Sequence, residues 1–180
     1  MARRDPFAVL GLERRFDVDR AALQAAYLAR TAELHPDRFS DPVARAEAAE
    51  HAAEVNDARA TLLDPETRAN ALLRLLGGPA KETEKSLPEG FLMKIMEQRQ
   101  AMEEALAGGD REQRRAFQQW ADDERARRLE AIGGLFEELH ASADTAPPPQ
   151  LHAIRVELNA LRYIERMIEQ LDPGLRGAGR

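Results

Sequence analysis

His35, Pro36 and Asp37 stand together in the stretch AELHPDRFSDP. An imidazole and a carboxylate flanking a proline could serve three chemistries: half of an acid–base pair, a metal clip, or a corner that shows two polar groups to another protein. Acid–base catalysis needs a second titratable group held nearby in a pocket that tunes both. This triplet falls between two helical segments, in a solvated loop where little moves a pKa. The other histidines, His51, His140 and His152, have no i, i+4 partner of the HExxH kind, and the chain contains no nucleophile elbow and no glycine-rich phosphate cradle. The absence of cysteine excludes disulfides, a thiol nucleophile and a thiolate site for zinc. No catalytic residue, metal or cofactor is therefore expected on this chain. A helical hydrolase using His35 and Asp37 is the rival reading from the enzyme class. A given tripeptide falls by chance at roughly one position in 8000, so the meaning of this one rests on the elements around it.

Those elements are helical almost throughout, and no alternating run resembles a strand. A short helix is expected over 6–10. Asp19 is an N-cap, with Val18 and Leu23 placed as a hydrophobic staple, for a second helix reaching about 34. Pro36 disfavours the α conformation at His35 and stops it there. A third helix over 42–63 carries Val55, Ala58 and Leu62 on one face, and a fourth over 66–76 holds Leu72, Leu73 and Leu76. The stretch GGPAKETEKS, residues 77–86, reads as a linker.

Three longer helices follow. Ser86 and Glu89 form a capping-box pattern for the first, which runs to Gly108 and Gly109. The second spans 110–141, with Phe117, Trp120, Ile132, Leu135, Phe136 and Leu139 as core and Gly133–Gly134 as a point of kinking or weakness. The third spans 149–171, and residues 173–180 are expected to be a disordered tail. An antiparallel three-helix bundle is the economical arrangement.

Composition agrees with a soluble, cytoplasmic protein. Apolar residues make up 43%, enough for a core, with aromatics scarce at 5%. A formal charge of −6 gives no general attraction to nucleic acid or to an anionic membrane surface. The opening MARRDPFAVLGL meets an acid and a proline too early for a signal peptide, and no stretch approaches the ~18 apolar residues of a membrane span.

The first half resembles a J-domain, the module by which co-chaperones engage DnaK-class chaperones. The resemblance rests on DPFAVLGL at the start, Leu23 and Tyr27 in the second helix, His35–Pro36–Asp37, and VNDARATLLDPETRA. It implies that His35, Pro36 and Asp37 trigger ATP hydrolysis by the chaperone, so that the catalysis belongs to the partner. It also implies basic contacts, here Arg20, Arg30 and Arg38. Two positions depart from the pattern: Arg30 stands where a buried leucine is expected while Leu28 points outward, and Arg59 replaces a frequent aromatic.

In the second half, Phe91, Ile95, Met102 and Leu106 share a narrow stripe of their helix, while Leu92, Met93 and Met96 lie roughly 100–200° from Phe91. Apolar residues beyond the core stripe either pack on a second side or offer a binding patch. On the last helix Leu151, Ile154, Leu158, Leu161 and Ile168 make one stripe, and Tyr163 lies about 180° from Ile154, with Met167 one turn further, where both could contact a partner.

A short J-domain, a linker and a bundle opening FLMKIMEQR resemble the HscB-type co-chaperones of iron–sulfur cluster biogenesis over almost the whole chain, residues 5–172. That resemblance implies an all-α fold: a J-domain helical hairpin with short flanking helices over 1–76, the linker 77–86, and a three-helix bundle over 87–172. It implies two protein partners, a DnaK-class chaperone (HscA-type) and an iron–sulfur scaffold protein (IscU-type). It assigns scaffold binding to Leu92, Met93, Met96, Glu97, Gln100, Glu104 and Tyr163, where Met96 and Gln100 replace a commoner leucine and glutamate. A J-domain co-chaperone for another client is the alternative.

Overall fold

The structure, a computed structural model, describes residues 4–35, 38–108, 111–141 and 148–171. Its described residues form seven α-helices and no strand: α1 (Pro6–Leu10), α2 (Arg20–Glu33), α3 (Pro42–Leu63), α4 (Pro65–Leu75), α5 (Phe91–Gly108), α6 (Arg111–Ala141) and α7 (Pro148–Leu171). No helix among them is long and apolar enough to cross a membrane. The chain divides into two compact units, Met1–Gly77 and Gly78–Arg180. The expected tail, 173–180, lies outside the described residues.

In the first unit three of the four helices begin with the same pair of residues. Asp5, Asp41 and Asp64 each accept a hydrogen bond from a first-turn N–H, and Pro6, Pro42 and Pro65 follow them. Aspartate satisfies a donor that the helix cannot, and proline supplies a helical φ at the one place where its missing N–H costs nothing. Asp19 caps α2 through the Ala21 N–H at 2.8 Å, with Leu23 buried one turn on. The hairpin of α2 and α3 is antiparallel: Tyr27 Oη donates to Asn56 Oδ1 at 3.0 Å, and the Arg59 guanidinium donates to Gln24. Phe7, Leu10, Leu23, Val55, Ala58, Leu62, Leu72 and Leu73 are buried. Leu76, expected in this core, follows the last residue of α4 and is exposed.

In the second unit α5 and α7 each run antiparallel to α6. Lys94 and Phe91 meet Glu124 and Arg128 in that order, while Arg128 and Arg125 meet Glu157 and Glu165. Phe91, Ile95, Met102, Phe117, Ala121, Ala160, Ile164 and Met167 form one core cluster, with Trp120 and Ile168 partly buried against it. Ile132, Phe136 and Leu139 are buried nearer the C-terminal end of α6, which runs unbroken through Gly133 and Gly134.

Two local expectations fail here. The helix does not start after Ser86, because Pro88 restricts Leu87 and Gly90 adopts φ +70°, so α5 begins at Phe91. Residues 79–86 instead lie along α7, where Arg155 Nε donates to the Pro79 carbonyl at 2.9 Å and Asn159 Nδ2 donates to the Glu84 and Ser86 carbonyls at 3.0 and 3.1 Å. Met167, expected to face outward beside Tyr163, is 3% exposed. The buried residues of α7, from Leu151 to Met167, span an arc of about 240° because the helix packs against α5, α6 and the 79–86 segment together.

Candidate functional site

Two regions carry the candidate residues. The first is the end of the α2–α3 hairpin. α2 stops at Glu33, the Leu34 N–H reaches the Arg30 carbonyl at 3.2 Å, and the Arg38 N–H reaches the His35 carbonyl at 3.0 Å. His35 and Arg38 are both exposed; Pro36 and Asp37 lie outside the described residues. Arg20 and Arg30 are exposed on α2, and Arg30 pairs with Glu33 at 3.2 Å, which takes up part of its charge. Leu28 points outward as expected, 56% exposed among Ala21, Ala25, Ala29 and Ala32. Arg59 takes the place of an aromatic by lying 4.8 Å from the centre of the Tyr27 ring.

The second region is the face of α5 turned away from α6 and α7. Only Phe91, Ile95 and Met102 are shown buried on this helix, within a narrow arc. Leu92, Met93 and Met96 are 49%, 69% and 64% exposed, and Tyr163 of α7 is 40% exposed. Glu97, Gln100 and Glu104 are exposed on the same side of α5, with Gln100 Nε2 donating to Glu104 Oε1 at 3.1 Å. Tyr163 joins this face because its ring stands edge-on to Phe91, with centroids 6.2 Å apart and an interplanar angle of 86°. The side chain of Leu106 lies outside what the structure describes. Three large apolar side chains beside an aromatic and two carboxylates can hold a protein surface that is apolar and basic.

Between α5 and α6, against Phe91, is a polar cluster that periodicity did not single out. Glu124 is 1% exposed and accepts from Lys94 Nζ at 2.8 Å, Arg127 at 2.6 Å and Arg128 at 2.6 Å. Arg128 also donates to Glu157 Oε2 at 2.9 Å. Burial is the largest single influence on the Glu124 carboxyl and pushes its pKa up. The hydrogen bonds from Lys94 and Arg128, with their charges, outweigh it and hold the carboxyl below the usual glutamate range. The cluster therefore stabilises the bundle fully above the ordinary glutamate value of about 4.3, and loses that contribution as pH falls through the lower folded-state value. Glu124→Gln is expected to cost about 3 kcal/mol near neutrality, the low end for a broken buried pair because Lys94 and Arg127 can turn to solvent. Thermal melts of both proteins at neutral and strongly acid pH check it: the gap between them should narrow in acid, and a constant gap would mean that the charge is not what stabilises.

Among the described residues no three His, Cys, Asp or Glu side chains gather as a metal site would require.

Comparison with known proteins bears on both regions. Residues 5–71 match the DnaJ domain, and residues 87–172 match the HSCB C-terminal oligomerisation domain. The co-chaperone protein HscB homolog of Azoarcus sp. (strain BH72) is 32% identical over 176 residues, covering 96% of this chain and 94% of that one. The HscB homolog of Pasteurella multocida (strain Pm70) is 33% identical over 172 residues, covering 93% and 94%. Among solved structures, chaperone HscB from Vibrio cholerae superposes with a TM-score of 0.75 at 26% identity, covering 96% of this chain and 98% of that one. Human co-chaperone protein HscB gives 0.76 at 25% identity, covering 100% and 85%. Since the likeness extends across both units and nearly the full length of these relatives, the chain belongs to the HscB co-chaperone family, and it is a J-domain co-chaperone rather than an enzyme.

Proposed function

We propose that the protein is an adaptor in the maturation of iron–sulfur proteins, which brings an IscU-type scaffold protein to an HscA-type chaperone of the DnaK class and stimulates that chaperone's ATPase. The division of labour follows the chain: a J-domain over 1–76, the segment 77–86, and a scaffold-binding bundle over 87–172. The observation that carries the scaffold half is the exposed apolar and acidic face of α5, made by Leu92, Met93, Met96, Glu97, Gln100 and Glu104 and completed by Tyr163. A family fold that leaves three large apolar side chains in water on one helix has a partner for them. The chaperone half rests on the J-domain match and on the corner at His35. Pro36 makes that corner inexpensive to order on docking, Asp37 can accept a forked pair of hydrogen bonds from an arginine of the chaperone, and Arg20, Arg30 and Arg38 supply positive charge. The work takes place in the cytoplasm.

The deciding experiment is chaperone turnover measured with the scaffold and with or without this protein. The adaptor alone should hydrolyse no ATP, and it should raise chaperone turnover more with scaffold present than without. Stimulation that ignores the scaffold would favour a J-domain protein serving another client.

A further inference from the structure

Arg128 is tied to all three helices of the bundle, and each tie uses a different part of its guanidinium group. One terminal nitrogen donates to Glu124 Oε1 within α6 at 2.6 Å, and the other donates to Glu157 Oε2 of α7 at 2.9 Å. Its central carbon lies over the ring of Phe91, the first residue of α5, 5.0 Å from the ring centre. Two carboxylates at the edges of a planar cation fix where that cation sits, and an aromatic ring held against it by cation–π attraction is held in place with it. Phe91 then holds Tyr163 through the edge-to-face contact at 6.2 Å. Lys94, one turn along α5, is drawn to the same Glu124 at 2.8 Å.

We propose that Arg128 is a positioning residue of the partner-binding face: through Phe91 it sets the ring of Tyr163, so that this aromatic is presented in one arrangement before the partner arrives. This rests on the reading of that face as the scaffold-binding surface, and it adds a residue that positions one of its side chains. The Arg128 side chain is only 19% exposed and is committed to interactions inside the bundle, so it acts through its neighbours. An anchor already held in its bound orientation loses less freedom on docking, which is how positioning becomes affinity.

The chain has two tyrosines, Tyr27 in the first unit and Tyr163 in the second, so fluorotyrosine labelling gives one signal from each, assigned with Tyr27→Phe. Arg128→Met is expected to move the Tyr163 signal, leave that of Tyr27 in place, and weaken scaffold binding about tenfold. In a Tyr163→Ala background the same change should weaken binding by less than about twofold, because the side chain it positions is gone. A Tyr163 signal that stays put in Arg128→Met overturns the proposal, and so do losses that multiply in the double variant, as they would if Arg128 only stabilised the bundle. If Arg128→Met fails to fold, Arg128→Lys carries the same tests, since it keeps a charge between the carboxylates but lacks the guanidinium group that meets Phe91. Scaffold binding that Tyr163→Ala leaves undiminished would sink the scaffold reading at this residue and the functional half of the proposal, while the fluorine signals would still report whether Arg128 orients the ring.

Discussion

Replacing Leu92, Met93 and Met96 together with alanine is expected to weaken scaffold binding more than a hundredfold and leave the bundle folded. Were these residues core, each truncation would cost about 2–5 kcal/mol, and three would consume the whole stability of a domain. Their exposures of 49%, 69% and 64% place them in water, and the side chains that hold α5 to the bundle, Phe91, Ile95 and Met102, are untouched. Alanine is the best helix former, so the net loss should be about 1 kcal/mol or less, a shift in melting temperature of no more than about 5 °C. Binding is another matter. A few apolar anchors carry most of an interface's energy, and three of them at about 1–2 kcal/mol each amount to more than two orders of magnitude in Kd. Chaperone stimulation in the absence of scaffold should survive, because the J-domain is unaltered. Melting and scaffold titration on the same triple variant decide the matter: a fall in melting temperature of tens of degrees, or undiminished binding, would show that the face is not a partner surface.

His35→Gln should reduce stimulation of the chaperone's ATPase to nothing above the basal rate, with the circular dichroism spectrum and melting temperature unchanged. His35 is exposed, so the substitution empties no core, and the bond from the Arg38 N–H to the His35 carbonyl belongs to the backbone and is retained. Glutamine is polar and similar in size. What is lost is the imidazole ring and its ability to donate or stack. The readout is chaperone turnover across a concentration series of the variant. Residual stimulation at saturation would mean that the ring is dispensable, and unfolding would mean that His35 holds the hairpin together.

The helices of both units were legible because the information that makes a helix is local. Asp19 with Leu23, the apolar spacing along 42–63, and the stop before Pro36 all act within about four residues of one another. The same holds for the candidate sites. The corner at His35 lies within one short stretch of chain, and the angular separation of Leu92, Met93 and Met96 from Phe91 is a property of helical geometry alone. Whether that second apolar side of α5 would be covered was not a local matter. It depended on where α6 and α7 come to rest, and they pack against the narrow arc of Phe91, Ile95 and Met102 and leave the other side open.

Tertiary contacts decided the remainder, and in each case across a separation that periodicity cannot span. Ser86 and Glu89 have the residues of a capping box, yet Asn159, some seventy positions away, takes the Ser86 carbonyl, and the left-handed Gly90 defers the helix to Phe91. Met167 looked outward from a helix with one apolar stripe. It is buried because α7 is enclosed by three neighbours and must bury a much wider arc. Glu124 with Arg127 and Arg128 reads in the sequence as an ordinary surface array at i, i+3 and i, i+4; Lys94 and Glu157, each about thirty positions away, are what turn it into a buried junction against Phe91. The sequence by itself thus determined where the helices lie and which residues could face a partner, since both follow from interactions a turn or two in length. Only the packed structure decided which faces are covered and which charged side chains meet beneath the surface, because burial is set by whatever element arrives from elsewhere in the chain.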